Sequence, residues 1–235
     1  MIVACWNAAW HGPRTWQGRS IAQSILASGA ELVCIPECYG DLLDGDWHVA
    51  RSEANYGYPI VPGRFKVTLW SRRPWHDVDC VGVPEMPPGR FVAATTMTSL
   101  GAVRVIGVCV PWYAAHVSTG RCDRRPWQDH IAYLQALTRL PRDTLPIVWV
   151  GDFNQAVPNR RAPAEAVSLL SRALADVSIH TSGLVPGLAR PSVCHIASSP
   201  QLVAVNAIGI EARTQRGSLS DHDGLIVDLA SGLPE

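Results

Sequence analysis

The stretch "PIVWVGDFNQAVPN", residues 146–159, decides how the rest of the chain is read. Ile147, Val148, Trp149 and Val150 run apolar without alternation, the pattern of a strand covered on both faces. The run stops at Gly151 and sets out Asp152, Phe153 and Asn154. Gly, Asp and Asn all favour turns, so a tight turn alone would account for them. An acid and an amide at the very end of a buried strand still raise the question of what they face.

Apolar runs of strand length recur on both sides of this stretch: "MIVACW", "ELVCIP", "KVTLWS", "RFVAATTM", "AVRVIGVCV", "VAVNAIGI" and "GLIVDL". Several are β-branched and continuous, which suits strands buried on both sides. "RFVAATTMTSLGAVRVIGVCV" breaks at Leu100–Gly101 and reads as an antiparallel hairpin. Three helices are expected between the strands. "SIAQSILASG" places Ile21, Ile25 and Leu26 on one face and stops at Gly29. "RPWQDHIAYLQALTRL" aligns Ile131, Leu134 and Leu137 behind Pro126, and "APAEAVSLLSRALADV" aligns Val167, Leu170 and Leu174 behind Pro163. Few helices among many strands predict an α/β protein whose sheets pack on each other with helices outside.

The composition fits one folded domain over residues 1–235, with 47% hydrophobic and 17% charged residues and no repeat or Gly/Ser-rich linker. A formal net charge of +0 excludes non-specific attraction of the whole chain to nucleic acid or an acidic membrane. All the basic residues are Arg except Lys66. Seven Cys, at spacings that fit neither a zinc site nor a disulfide framework, read as reduced core thiols. No secretory leader pattern and no membrane-spanning run is present, so a cytoplasmic location without membrane insertion is expected.

Polar residues gather at the strand ends. Asn7 closes the first strand, Glu37 the second, and Asp152 and Asn154 the "IVWVG" strand. Ser220, Asp221 and His222 stand just before the last. Each alone has an ordinary reading as turn, loop or surface acid. Together they form an oxygen-rich set with one imidazole, and hard oxygen donors favour Mg²⁺ or Mn²⁺ over zinc.

In their order these stretches resemble the endonuclease/exonuclease/phosphatase superfamily of exonuclease III-like and DNase I-like phosphoesterases. The residues that carry the resemblance are "ACWN", "LVCIPE", "LWSRRP", "IVWVGDFN" and the C-terminal "SDH" before an apolar strand. The resemblance implies a four-layer α/β/β/α sandwich of two packed, mainly antiparallel sheets, with the strand ends lining a phosphate-binding cleft. It implies Glu37 as the main ligand of Mg²⁺ or Mn²⁺, with Asn7 and Asp221 in support. Asp152 would orient or deprotonate the attacking water, Asn154 would hold that water or a phosphate oxygen, and His222 would bond the phosphate or transfer a proton. Arg72, Tyr113 and His116 are weaker candidates for phosphate contact.

The chain departs from the family pattern in three places. Cys194, in "RPSVCHIASS", stands where the family usually has the Asp that orients the catalytic His, and His195 should face the other way. At the end of "GVCVPWYAAH" the family's phosphate-contacting position falls near Trp112, Tyr113 or His116. Between Asp176 and Cys194 no aromatic other than His180 is available to grip an extruded nucleotide. The expected activity is metal-dependent phosphodiester hydrolysis, slowed by Cys194, with nucleic acid the default substrate class. The alternatives are a phosphatase or phosphodiesterase acting on a small phosphorylated metabolite or lipid headgroup, and a non-catalytic member that binds a partner. Asp176 is the one alternative partner for His222, and oligomeric state is not legible.

Overall fold

The computed structural model describes residues 1–141, 144–159 and 161–232. The chain opens with β1 (Ile2–Cys5), α1 (Trp16–Ala27), β2 (Leu32–Tyr39), β3 (His48–Arg51), β4 (Arg64–Ser71) and β5 (Trp75–Asp79). It continues with β6 (Phe91–Thr98), β7 (Gly101–Cys109), α2 (Gln128–Leu137), β8 (Ile147–Asp152) and α3 (Ala164–Ala173). It closes with β9 (Ser178–Ile179), β10 (Cys194–Ser198), β11 (Leu202–Ile210), the short pair β12 (Arg213–Thr214) and β13 (Gly217–Ser218), and β14 (Gly224–Ser231).

Two six-stranded sheets result, ordered β11-β14-β1-β2-β4-β3 and β5-β6-β7-β8-β10-β9. Their neighbours are antiparallel except β1–β2 and β7–β8, which are parallel and stand near the middle of each sheet. Val3, Leu32, Val67 and Leu69 of the first sheet meet Val92, Val105, Val148, Val150 and Ile196 of the second in a shared core. A second core packs the outer face of the second sheet, with Ile106 and Trp149, against Tyr133 and Leu134 of α2 and Leu169 and Leu170 of α3. A third packs Ile21 and Ile25 of α1 on Ala4, Val33 and Trp70 of the first sheet. This is the four-layer α/β/β/α sandwich. Alternate residues of β8 serve different layers, which is why its sequence reads apolar throughout. Full burial of each such Val, Leu or Ile contributes about 1.5–3 kcal/mol, so the three cores dominate stability.

The hairpin breaks where expected, with Thr98 opposite Gly101 at φ +95°. α1 begins earlier than Ser20 because the Thr15 hydroxyl caps it, accepting from the Gly18 N–H at 3.0 Å. Leu26 does not join the core and is 37% exposed: Ile21 and Ile25, four residues apart, define the buried stripe, and Leu26 is turned roughly 100° off it. In α2 and α3, Ile131 and Val167 are only half-buried, and Tyr133 and Leu169 take the deeper positions. "VAVNAIGI" is not covered on both sides, because β11 is an edge strand and Val203, Val205 and Ile208 are exposed. Cys5, Cys34, Cys38, Cys109 and Cys194 are buried free thiols, but Cys80 is half-buried and Cys122 exposed. Among the described residues no helix is long and apolar enough to cross a membrane.

Gly151 has a steric cause. Its φ is +144°, and a Cβ there would lie 2.0 Å from the carbonyl oxygen of Val108 on the parallel neighbour β7. Only glycine lets β8 approach so closely just before Asp152.

Burial also fixes protonation behind β8. His130 donates from Nδ1 to the Pro111 carbonyl at 2.6 Å, and its Nε2 accepts from Gln155 at 2.8 Å. Burial lowers its pKa to about 4, against the opposing pull of that carbonyl, and burial lowers His195 as well. A histidine with a depressed folded pKa binds protons more readily when unfolded. Its contribution is therefore intact above the unfolded value of about 6.5 and is lost as pH falls toward about 4. For His130 the loss amounts to about 3 kcal/mol. Chemical denaturation of a His130→Gln variant should show a flatter pH dependence between those limits than the wild type; parallel curves would contradict this.

Candidate active site

Two short bonds join the end of β1 to the loop before β14, and a third braces that loop. Ser220 donates its hydroxyl to the Asn7 carbonyl at 2.7 Å and accepts from the His222 N–H at 3.1 Å. The Trp6 indole donates to the His222 carbonyl at 2.9 Å. Trp6 can lie so close because Gly224 follows: a Cβ there would meet its ring at 2.5 Å. These contacts bring the C-terminal loop beside the ends of β2 and β8. Glu37, Asp152, Asn154, Asp221 and His222 consequently line one cleft of about 490 Å³.

Asp152 is the buried centre of the group. Its Oδ2 accepts from Asn7 Nδ2 at 3.0 Å and Asn154 Nδ2 at 3.1 Å, and its Oδ1 accepts from the Asn154 N–H at 2.9 Å. Asn154 also donates to the Val110 carbonyl at 2.8 Å, so its amide is held from both sides. Its backbone is left-handed at φ +51°, a conformation Asn tolerates. Burial pushes the Asp152 carboxyl upward, while His222 and the donors from Asn154 and Asn7 pull it back.

His222 has the anionic neighbour that the sequence denied it. Its Nε2 lies 3.7 Å from Asp152 Oδ2 and 3.8 Å from Asp221 Oδ1. Burial disfavours the imidazolium, but Asp152, Cys194 and Asp221 together outweigh it, and the pKa is pushed up to about 11. Cys194, register partner of Asp152, takes the other side of the ring with Sγ 3.4 Å from Nδ1. Cys194 therefore does stand where an orienting Asp would, and His195 does face away, bonded to Thr181 and the Gln155 carbonyl. The Cys194 thiol is itself pushed well up, with a hydrogen bond to Cys5 and burial as the leading causes.

Glu37 is placed by a cross-strand pairing that the sequence does not advertise. β2 and β4 pair Pro36 with Val67 and Cys38 with Phe65, which leaves Glu37 opposite Lys66. Their side chains form an ion pair between Lys66 Nζ and Glu37 Oε1. Glu37 has φ +49°, a left-handed conformation that costs a non-glycine residue about 1–3 kcal/mol and is concentrated at functional sites. The wall around the pair is aromatic: Trp10, Tyr56, Tyr58 and Trp112 line the cleft together with Arg90. Trp10 stacks on Tyr56 at 5.6 Å, and Tyr58 stacks on His116 at 4.3 Å. Arg90 is buried, and the bond its side chain makes among the described residues goes to the Cys109 carbonyl at 3.4 Å.

Three expected phosphate contacts are not assembled. Arg72 lies at the far end of β4, its guanidinium 3.7 Å over the Trp47 ring and outside the cleft. Tyr113 is 52% exposed and packs edge-on against Trp112, which lines the cleft in its place. His116 is buried behind Tyr58, with Nδ1 accepting from the Arg121 N–H. Lys66, Arg90, Trp10, Tyr56 and Tyr58 also line the cleft, although the sequence does not single them out as site residues. The isolation of Lys66 as the only lysine was the one signal in the sequence for any of them.

The donors present suit a hard divalent cation in kind. Glu37 and Asp221 contribute carboxylates to the cleft, and Asp221 has its side chain 77% exposed. Asn7 is buried just behind the cleft, its Nδ2 donating to Asp152 at 3.0 Å and its side-chain Oδ1 accepting from the Ala9 N–H at 2.9 Å. The tightest convergence of ligand atoms among the described residues is Asp152, Cys194 and His222, within 4.8 Å of one another. That trio is softer and includes an imidazole pushed toward its protonated form. Oxygen donors such as Glu37 and Asp221 fit Mg²⁺ or Mn²⁺ better in kind.

The sequence profile of the endonuclease/exonuclease/phosphatase family matches residues 4–174, nearly three quarters of the chain. The chain belongs to this family. The matched endonuclease/exonuclease/phosphatase segment contains Asn7, Glu37, Asp152 and Asn154, and the fold adds Asp221 and His222 from beyond it. An AP endonuclease from Archaeoglobus fulgidus superposes with a TM-score of 0.71 at 17% identity, covering 99% of this chain and 100% of that one. The 3′-5′ exonuclease NExo from Neisseria meningitidis superposes with a TM-score of 0.66 at 20% identity, covering 97% and 99%. A Neisseria NExo structure described as a 3′ phosphatase bound to a product DNA hairpin gives 0.65 at 19% identity, covering 98% and 99%. At these identities the likeness is one of fold. No curated protein matches the chain. Phosphoester hydrolysis is the chemistry that the endonucleases, exonucleases and phosphatases of the family share.

Proposed function

We propose that this protein is a divalent-metal-dependent phosphodiesterase whose default substrate class is nucleic acid. The observation that carries the reading is the convergence of Glu37, Asp152, Asn154, Asp221 and His222 on one cleft from separate stretches of chain. Phosphoester hydrolysis needs an activated water and neutralisation of an already anionic phosphate. Asp152, anchored by three donors and raised by burial, takes the proton from water held beside Asn154. His222, kept protonated by Asp152, donates to a phosphate oxygen or the leaving group. Mg²⁺ or Mn²⁺ would be held by Glu37 with Asn7 and Asp221, and would supply charge neutralisation at the phosphate.

Nucleic acid is favoured by the aromatic wall. Trp10, Tyr58 and Trp112 offer flat surfaces on which unstacked bases could rest, the buried Tyr56 backs Trp10, and Arg90 adds a cation among them. The short segment before Cys194 lacks aromatics, but these rings come from other loops. A second reading, a small phosphorylated metabolite, draws on the net charge of +0 and a cleft of about 490 Å³, within the range of small-molecule sites.

The test is hydrolysis of single- and double-stranded DNA, RNA and generic phosphodiesters and phosphomonoesters with Mg²⁺ or Mn²⁺. Cleavage of a nucleic acid, lost in Glu37→Gln and weakened steeply by salt, is the expected result. A salt-insensitive activity on small esters alone would move the assignment to the second reading. No hydrolysis of any substrate with either metal would overturn both.

A further inference from the structure

We propose that Lys66 is an exchangeable counter-ion, held by Glu37 in the metal-free protein and transferred to the substrate phosphate once a divalent cation takes Glu37. The inference rests on the reading of Glu37 as a cation-binding carboxylate and adds a coupling between metal and phosphate that this reading does not contain.

The ion pair is set by strand register and not by a chance approach of two flexible surface chains. The Lys66 side chain is only 11% exposed. Its ammonium lies 5.0 Å from the Trp10 ring centroid and 5.5 Å from that of Tyr56, and both rings line the cleft. Aromatic faces attract a cation without neutralising it. Lys66 can therefore leave Glu37 and remain charged against those faces. Among the described residues, the ion pairs give it no second carboxylate. Lys66 itself lines the cleft, so the next anion within reach of its flexible stem is whatever occupies that cleft.

Glu37 serves one close cation well. Two cations side by side on it repel each other, so an ammonium already there lowers the affinity for a metal. A phosphate that draws Lys66 away removes this penalty. By linkage, the factor by which phosphate tightens the metal equals the factor by which the metal tightens phosphate. The site would thus stay closed to metal until a phosphate arrives.

The experiment is calorimetric titration of Mg²⁺ into the wild type and Lys66→Met, each with and without inorganic phosphate. In the wild type, phosphate should tighten Mg²⁺ binding by about tenfold. Without phosphate, Lys66→Met should bind Mg²⁺ about tenfold more tightly than the wild type, and added phosphate should then change little. Lys66→Gln replaces Lys66→Met if the latter melts early. Equal Mg²⁺ affinity in wild type and variant, or coupling that survives loss of the ammonium, overturns the proposal while leaving metal-dependent hydrolysis standing. Wild-type affinity that ignores phosphate overturns it without any variant. Absence of Mg²⁺ binding in every protein overturns both this coupling and the metal-dependent reading beneath it.

Discussion

Asp152→Asn should slow hydrolysis by about 10²- to 10⁴-fold, the range associated with a positioned proton acceptor. Three donors converge on the carboxylate, from Asn7, the Asn154 N–H and the Asn154 amide. An amide has one accepting oxygen, and its NH₂ would be turned against one of those donors. A mismatch of this kind in a buried site costs about 1–3 kcal/mol, so the variant should fold with a lowered melting temperature. His222 reports the change independently. With the carboxylate gone, only Cys194 and Asp221 are left to oppose burial, and the pKa should fall from about 11. An NMR titration of the His222 ring would follow it. A variant that hydrolyses at the wild-type rate would remove Asp152 from the chemistry, whatever the titration shows.

Cys194→Asp should raise the hydrolytic rate by about tenfold to a hundredfold, part of what a positioned proton donor contributes. The Cys194 sulfur lies 3.4 Å from His222 Nδ1 and is a weak partner for a ring N–H. A carboxylate there would hold the ring firmly. Charge is not what the wild type lacks, since Asp152 already supplies it from the Nε2 side. The gain should therefore appear in the rate with little change in Mg²⁺ affinity, because residue 194 is remote from Glu37 in role. The variant sets two buried acids in paired register positions, so one should titrate high. An unchanged rate in a well-folded Cys194→Asp protein would mean that Asp152 and the Trp6 and Ser220 anchors already orient His222 fully.

The parts of this site legible in the sequence are those whose meaning is local. "GDFN" combines a glycine that a Val108 carbonyl demands with an acid and an amide that bond each other two residues apart. Ser220 and His222 likewise share a bond within one loop. The alternation that put Cys194 toward the site and His195 away from it is a property of any strand. The sequence singles out Lys66 only as the one lysine; its role depends on β2–β4 register, and a shift of one residue would turn it to the other face. The position of Arg72 is hidden for the same reason. It sits on the loop at the far end of the strand that carries Lys66 toward the cleft. The aromatic wall draws on three loops distant in sequence, and no spacing rule links Trp10, Tyr56 and Trp112. Leu26 shows a finer limit, since a stripe one residue too wide admits a side chain that the helix turns to solvent.

The bond from Asn7 to Asp152 joins the two sheets, for Asn7 follows β1 and Asp152 ends β8. Ser220 ties a third segment to the same point. The proposed catalytic groups thus form the latch of the sandwich as well as part of its cleft. Separation of the layers would undo the bond together with the geometry of every residue that depends on Asp152. In hydrogen-exchange terms, the amides of Asn154 and His222 should open with the inter-sheet core as one cooperative unit, and not with the surrounding loops. An occupant of the cleft would then slow exchange deep between the sheets, far from anything it touches.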